Sequence, residues 1–185
     1  MLEASASVLK EGGWAALNMR EVARRAGVSA GALYQWFEGK DEIYAELFAA
    51  RLDQGAEQFD SLSDDLDLEA VLTSMIRWVH NTWRSLGRWQ LDYAEIARTR
   101  DASPVRAALA EAHERLLTIG SAKLQATAAR SGRTFPDDLD AMHLIWGTAT
   151  GVAQRAEILQ FNEERHERMI QRAVRSLLLG LTESD

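Results

Sequence analysis

The run from Arg20 to Tyr44, REVARRAGVSAGALYQWFEGKDEIY, has the composition of helix, yet glycine breaks it at position 27 and again at position 39. Few folds accommodate so short a helix between two such breaks. Asn18 and Glu21 form an N-x-x-E capping box that opens a helix. Met19, Val22, Ala23 and Ala26 recur at i, i+3, i+4 and i+7, the spacing of one buried face, while Arg20 and Arg24 lie on another. Gly27 suits the left-handed position that ends a helix. Ser29 then caps a third helix in which Leu33 and Phe37 point inward. Gly39 ends that helix and caps a fourth, from Lys40 to about Gln58, with Glu42 at its third position.

Helix, glycine-containing turn, short second helix is the helix-turn-helix pattern. Its steep angle lets the second helix enter a DNA major groove while the first crosses the backbone. The residues expected to hold the angle are Val22, Ala23, Ala26, Val28, Leu33 and Phe37. Facing outward are Ala30, Gly31, Ala32, Tyr34, Gln35 and Trp36. Small residues at the start of the helix permit close approach to base edges. Gln35 can read an edge through hydrogen bonds, and Tyr34 and Trp36 offer polar handles for phosphates and apolar surface for thymine methyls. Lys40 adds a cation beside backbone N–H groups at a helix start, a phosphate site. The candidate DNA-contacting set is Asn18, Arg20, Arg24, Ser29, Ala30, Gly31, Ala32, Tyr34, Gln35, Trp36 and Lys40. Periodicity alone leaves a second reading open, a helical hairpin whose aromatic residues are core.

Charge distribution bears on that choice. The formal net charge of −7 argues against non-specific nucleic-acid binding. Between 18 and 40, however, Arg20, Arg24, Arg25 and Lys40 outnumber Glu21 and Glu38, and the acidity collects in the C-terminal part. Only Lys10, Lys40 and Lys123 are lysines. The chain has no cysteine, which excludes disulfides and thiolate metal sites and fits a reducing, cytoplasmic setting. It has no 18-residue apolar run, and its start, MLEASASVLKEGGW, lacks the basic-then-apolar order of a signal peptide.

With two prolines in 185 residues and abundant Ala, Leu, Arg and Glu, the expected class is all-α. A first helix covers 2–11 and ends at Gly12-Gly13. SLSDDLD (61–67) is turn-like. Further helices are expected at about 67–86, 88–100, 104–130, 137–160 and 163–181, with ARSGRTF (129–135) as a loop. Ser103-Pro104 is a cap followed by proline at the first helical position, and Pro136 with Asp137 and Asp138 marks another start.

Residues 2–48 closely resemble the DNA-binding domain of the tetracycline-repressor (TetR) family of bacterial regulators. The matching features are Gly13-Trp14, Ala23, Ala26-Gly27-Val28-Ser29, Gly31, Leu33, the Tyr34-x-x-Phe37 pair and Lys40, all in register. The chain departs at Ala32, where members usually carry a hydroxyl, and at Glu38-Gly39, where Pro-Ser is frequent. Members usually begin some residues earlier, with a basic arm. The resemblance implies an N-terminal three-helix DNA-binding domain (1–48), connected by helix four to a helical ligand-binding and dimerisation domain (49–185). It also implies a homodimer through helices 137–160 and 163–181, a palindromic double-stranded DNA operator and a small effector.

In the C-terminal part, GTATG (147–151) gives helix 137–160 a face of small residues that permits close helix approach, either to a dimer mate or to a neighbour in the same chain. Met75, Trp78, His80, Trp83, Trp89, Tyr93, Met142, His143 and Trp146 are candidates to line a largely apolar pocket; ordinary core packing is the competing reading. Glu163-x-x-His166 and Asp140-x-x-His143 have the spacing used in di-iron bundles, but EERHER reads as a solvated helix start. No cofactor or metal is expected. No G-x-S-x-G, P-loop or H-E-x-x-H pattern is present. The expected function is a ligand-responsive DNA-binding regulator, most simply a repressor. The competing hypothesis is a helical small-molecule-binding or enzymatic bundle with a vestigial helix-turn-helix.

Overall fold

Leu2–Ala16 forms α1, Met19–Ala26 α2, Ala30–Tyr34 α3 and Lys40–Asp60 α4. Leu68–Leu86 forms α5, Pro104–Arg130 α6, Leu139–Ile158 α7 and Glu163–Leu181 α8. This computed structural model describes residues 1–86 and 104–184. Among them the only non-helical pairing joins β1 (Arg133–Thr134) antiparallel to β2 (Glu183–Ser184), so the expected 129–135 loop contains a short strand. The all-α class holds. The helix expected at 88–100 lies outside the described residues.

Local chemistry sets most boundaries. The Asn18 side chain accepts from the Glu21 N–H, Ser29 from Ala32, Asp138 from Ala141 and Asn162 from Arg165, each satisfying one orphan donor of a first turn. Two boundaries differ from the sequence reading. α1 does not stop at Gly12-Gly13: it continues to Ala16 through a kink where Gly13 takes φ 67 and ψ −165. α3 does not run to Gly39: it is five residues long, and Gln35 and Trp36 form the turn after it.

The described chain divides into two compact units. The first comprises Met1–Leu52 with Ser85–His113. Its core is Val8, Leu9, Leu17, Met19, Val22, Ala23, Leu33, Ile43, Tyr44 and Ala45, with Trp14, Phe37, Phe48 and Leu109 packed on it. The second comprises Asp53–Arg84 with Glu114–Asp185. Within it the Trp78 ring lies so close to Gly55 that a Cβ there would stand 2.3 Å from it. Trp78 also meets Phe59 edge-on at 5.4 Å. Lys123 donates to the Asp60 and Leu62 carbonyls at the end of α4 and pairs with Asp64 at 2.9 Å, a cation where the helix dipole favours one. α7 packs on α8.

Candidate nucleic-acid interface

The turn between α2 and α3 is fixed by Gly27. Its φ of 69 is left-handed, which costs a residue with a Cβ about 1–2 kcal/mol. From there its N–H and that of Val28 bond back to α2 carbonyls. Leu33 is fully buried and Phe37 packs on the same core, so α3 is anchored by one face. The opposite surface carries Tyr34 at 56% exposure, Gln35, and Trp36 at 71%. Gly31 and Ser29 are exposed as well, and Ala32 is half-buried.

Two orientations differ from the sequence reading. Val28, expected inside, is 37% exposed, and Ala30, expected outside, packs against the core. Both flank the turn that the Ser29 cap closes, where the helical period of α2 does not carry through.

The cations divide into two groups. Arg20 is exposed and forms no ion pair among the described residues. Arg24 is exposed but already donates through Nε and Nη2 to both oxygens of Glu21, at 2.8 and 2.6 Å, which leaves Nη1 for a phosphate. Arg25 is an internal strut. It donates to Glu21 on its own helix, and to Ser7 and both oxygens of Glu11 on α1. The bonds from Arg24, then Arg25, hold the Glu21 carboxyl down at about 2; Arg25, with Ser7, lowers that of Glu11. Sequence reading missed this strut, because Glu11 and Arg25 sit on different helices with no periodicity linking them.

Lys40 opens α4 half-buried, its Nζ 4.3 Å from the centroid of the Trp14 ring. The Glu42 carboxylate accepts from the Glu38 N–H at 2.6 Å, and the Gly39 carbonyl accepts the first helical bond, from Ile43. Asn18 spends its Oδ1 on the Glu21 N–H and donates to the Ala16 carbonyl.

Met75, Trp78, Trp83 and Met142 are buried. Met142 and Met75 close over Gly120, where a Cβ would meet their terminal methyls at 2.8 and 3.8 Å. Trp83 donates to Glu157 at 2.9 Å. His80 lines a cleft of about 250 Å3 with Glu157, Gln160, Phe161, Glu163 and His166, and its ring stands 3.8 Å from that of His166. His143 is exposed, Trp146 is half-buried, and Trp89 and Tyr93 lie outside the described residues. Among the described residues no group of three or more His, Cys, Asp or Glu is placed to hold a metal ion.

This arrangement defines a class: a helix-turn-helix unit followed by a helical C-terminal part. Residues 1–47 match the family described as bacterial regulatory proteins, tetR family. An HTH-type transcriptional regulator of Bacillus subtilis (strain 168), YfiR, is 26% identical over 76 residues. That match covers 41% of this chain and 37% of the relative's length. A transcriptional regulator from Rhodococcus sp. Rha1 superposes with a TM-score of 0.72 at 24% identity, covering 97% of this chain and 95% of that one. A TetR transcriptional regulator from Rhodococcus sp. RHA1 gives 0.64 at 24% identity, covering 97% and 94%. FadR from Bacillus subtilis, in complex with stearoyl-CoA, gives 0.68 at 18% identity, covering 97% of each chain. At these identities the structural likenesses establish the fold.

Proposed function

We propose that the chain is a cytoplasmic, ligand-responsive transcriptional regulator, acting most simply as a repressor that binds a palindromic operator as a homodimer. The observation that carries the reading is the outward face of the helix-turn-helix. An anchored, five-residue α3 and the turn after it present Tyr34, Gln35 and Trp36 to solvent, near in sequence to Arg20, the remaining nitrogen of Arg24, and Lys40. Large exposed aromatics beside cations are costly in a monomer's surface and useful against DNA.

The proposed dimer surface comprises α7 and α8. Leu144, Gly147, Gly151 and Ile158 recur along one side of α7, and Leu144 and Ile158 are exposed. A Cβ built at Gly147, Gly151 or Gly180 meets nothing within 4 Å among the described residues. Packing among the described residues therefore does not account for these small residues, and a second copy would. Leu179 on α8, 84% exposed, adds to the same argument.

The proposed effector is a small, largely apolar molecule. Met75 and Met142 beside Gly120 are flexible, unbranched side chains that rearrange at low cost, and FadR's stearoyl-CoA complex makes an acyl chain a reasonable first probe.

The test is a gel shift and footprint on DNA flanking the gene. Two protected half-sites related by a two-fold axis are expected. For about six neutralised phosphates, log K should fall against log salt with a slope of about −5. No shift at low salt would leave the helical bundle without a DNA function and overturn the reading.

A further inference from the structure

Lys40 occupies a position that helix stability does not explain. It is the first residue of α4, where the positive end of the dipole disfavours a cation. Three carboxylates, Glu38, Asp41 and Glu42, lie within two residues of it. Yet among the described residues Lys40 pairs with none of them. Its ammonium stands over Trp14 instead, at 4.3 Å from the ring centroid.

The indole is itself held firmly. It meets Tyr44 edge-on at 5.4 Å and 86°. Tyr44 is fully buried and stacks on Phe48. Gly13, with φ 67, makes the kink from which Trp14 follows. A rigid aromatic face and a flexible lysine thus meet at the rim of the DNA-facing surface. The ring quadrupole attracts the cation without neutralising it or consuming its hydrogen-bond donors. A carboxylate partner would do both.

We propose that Trp14 is a positioning residue for the phosphate contact of Lys40: its indole face holds the ammonium at the start of α4 and away from Glu38, Asp41 and Glu42. The proposal rests on the DNA-binding reading. It gives Trp14, buried on one side and open on the other, a role beyond core packing.

The experiment uses the full chain and a fluorescein-labelled random-sequence duplex of about 30 base pairs, since non-specific binding reads phosphate contacts without a known operator. Anisotropy titrations across a salt series compare the wild type, K40M, W14L, W14F and the double variant W14L/K40M, each checked by thermal melting. W14L should weaken binding about two- to five-fold, the equilibrium value of an exposed cation–π contact. W14F should retain most of the affinity. W14L/K40M should bind no worse than K40M, because without the ammonium the indole has nothing to position. Losses that multiply in the double variant, or a W14F as weak as W14L, would overturn the proposal. If W14L does not fold, W14M and W14M/K40M, which also lack the aromatic face, complete the same cycle, with non-multiplying losses expected and multiplying losses fatal. A wild type that binds no duplex at low salt overturns the DNA-binding reading itself, and the proposal with it.

Discussion

Gly27 and Gly55 are glycine for different reasons. At Gly27 the backbone is left-handed and, among the described residues, nothing lies within 4 Å of a built Cβ, so Gly27→Ala should cost only the backbone strain, about 1–2 kcal/mol. At Gly55 the conformation is ordinary helix, but a Cβ would stand 2.3 to 2.7 Å from three Trp78 ring atoms. Gly55→Ala should therefore displace Trp78, cost about 1–3 kcal/mol, and shift the tryptophan emission, which Gly27→Ala should not. Urea unfolding followed by fluorescence separates the two. Gly27 was legible in the sequence because a cap and a turn are local signals. Gly55 was not, because its reason is a ring on another helix. The same distinction applies across the turn: Leu33 and Tyr34 follow helical period and were read correctly, whereas Val28 and Ala30 flank a change of chain direction that breaks the period. At the DNA surface, Lys40→Ala should weaken binding to all sequences alike, whereas Gln35→Ala should also relax base preference. Binding assays on operator and random duplexes check both, and equal losses on both duplexes for Gln35→Ala would remove it as a reader of bases.

Among the elements, α6 and α8 begin and end where proline, asparagine and the apolar run place them in the sequence. α1 and α3 do not. Gly12-Gly13 looked like a stop, but the helix resumes after one non-helical residue, because Leu17 and Trp14 still find the core. α3 looked longer because Phe37 kept the inward spacing, yet its N–H is bonded to Leu33 from outside the helix. What joins α1 to α2 was invisible beforehand: Arg25 gripping Glu11 and Glu21. Both carboxyls lie below their ordinary value of 4.5, and Glu21 lies at about 2. A carboxyl depressed by folding contributes stability that is complete above its unfolded value and is lost as pH falls toward the folded one. The strut should therefore weaken from about pH 4.5 down to about pH 2. Glu21→Gln should flatten that part of the pH profile of the melting temperature, because the variant has no proton to gain there. An unchanged profile would mean that these exposed pairs are too well screened to matter, as many are.

At the scale of the whole molecule, the helix-turn-helix was legible because its signals lie within 25 or so consecutive residues, whereas the C-terminal part was legible only as helices. Its candidate pocket residues share no motif, and their packing depends on which helices meet. One prediction follows from the open face of α7. A Cβ at Gly151 meets nothing within 4 Å among the described residues, so Gly151→Arg should leave the melting profile of dilute protein intact. In ultracentrifugation it should drive the dimer to monomer and abolish binding to a two-half-site operator. A variant that stays dimeric would place the interface elsewhere. The other prediction concerns regulation. α4 is a single helix from Lys40 to Asp60. Its end is held by Lys123, and Gly55 on it is covered by Trp78. An apolar ligand that displaces Trp78 or the two methionines changes what α4 packs against, and thereby the cost of holding Lys40 in place for DNA. Such coupling must be reciprocal: if the ligand weakens operator binding, the operator weakens ligand binding by the same factor. A typical coupling of about 1–3 kcal/mol corresponds to roughly 5- to 150-fold. Acyl compounds and other apolar compounds can be screened by tryptophan fluorescence, then titrated with and without operator. Equal affinity in both titrations would show that a compound is not an effector, however tightly it binds. A broad screen yielding only such compounds would leave a constitutive DNA-binding protein as the better description, with the Trp78–Gly55 contact reduced to core packing.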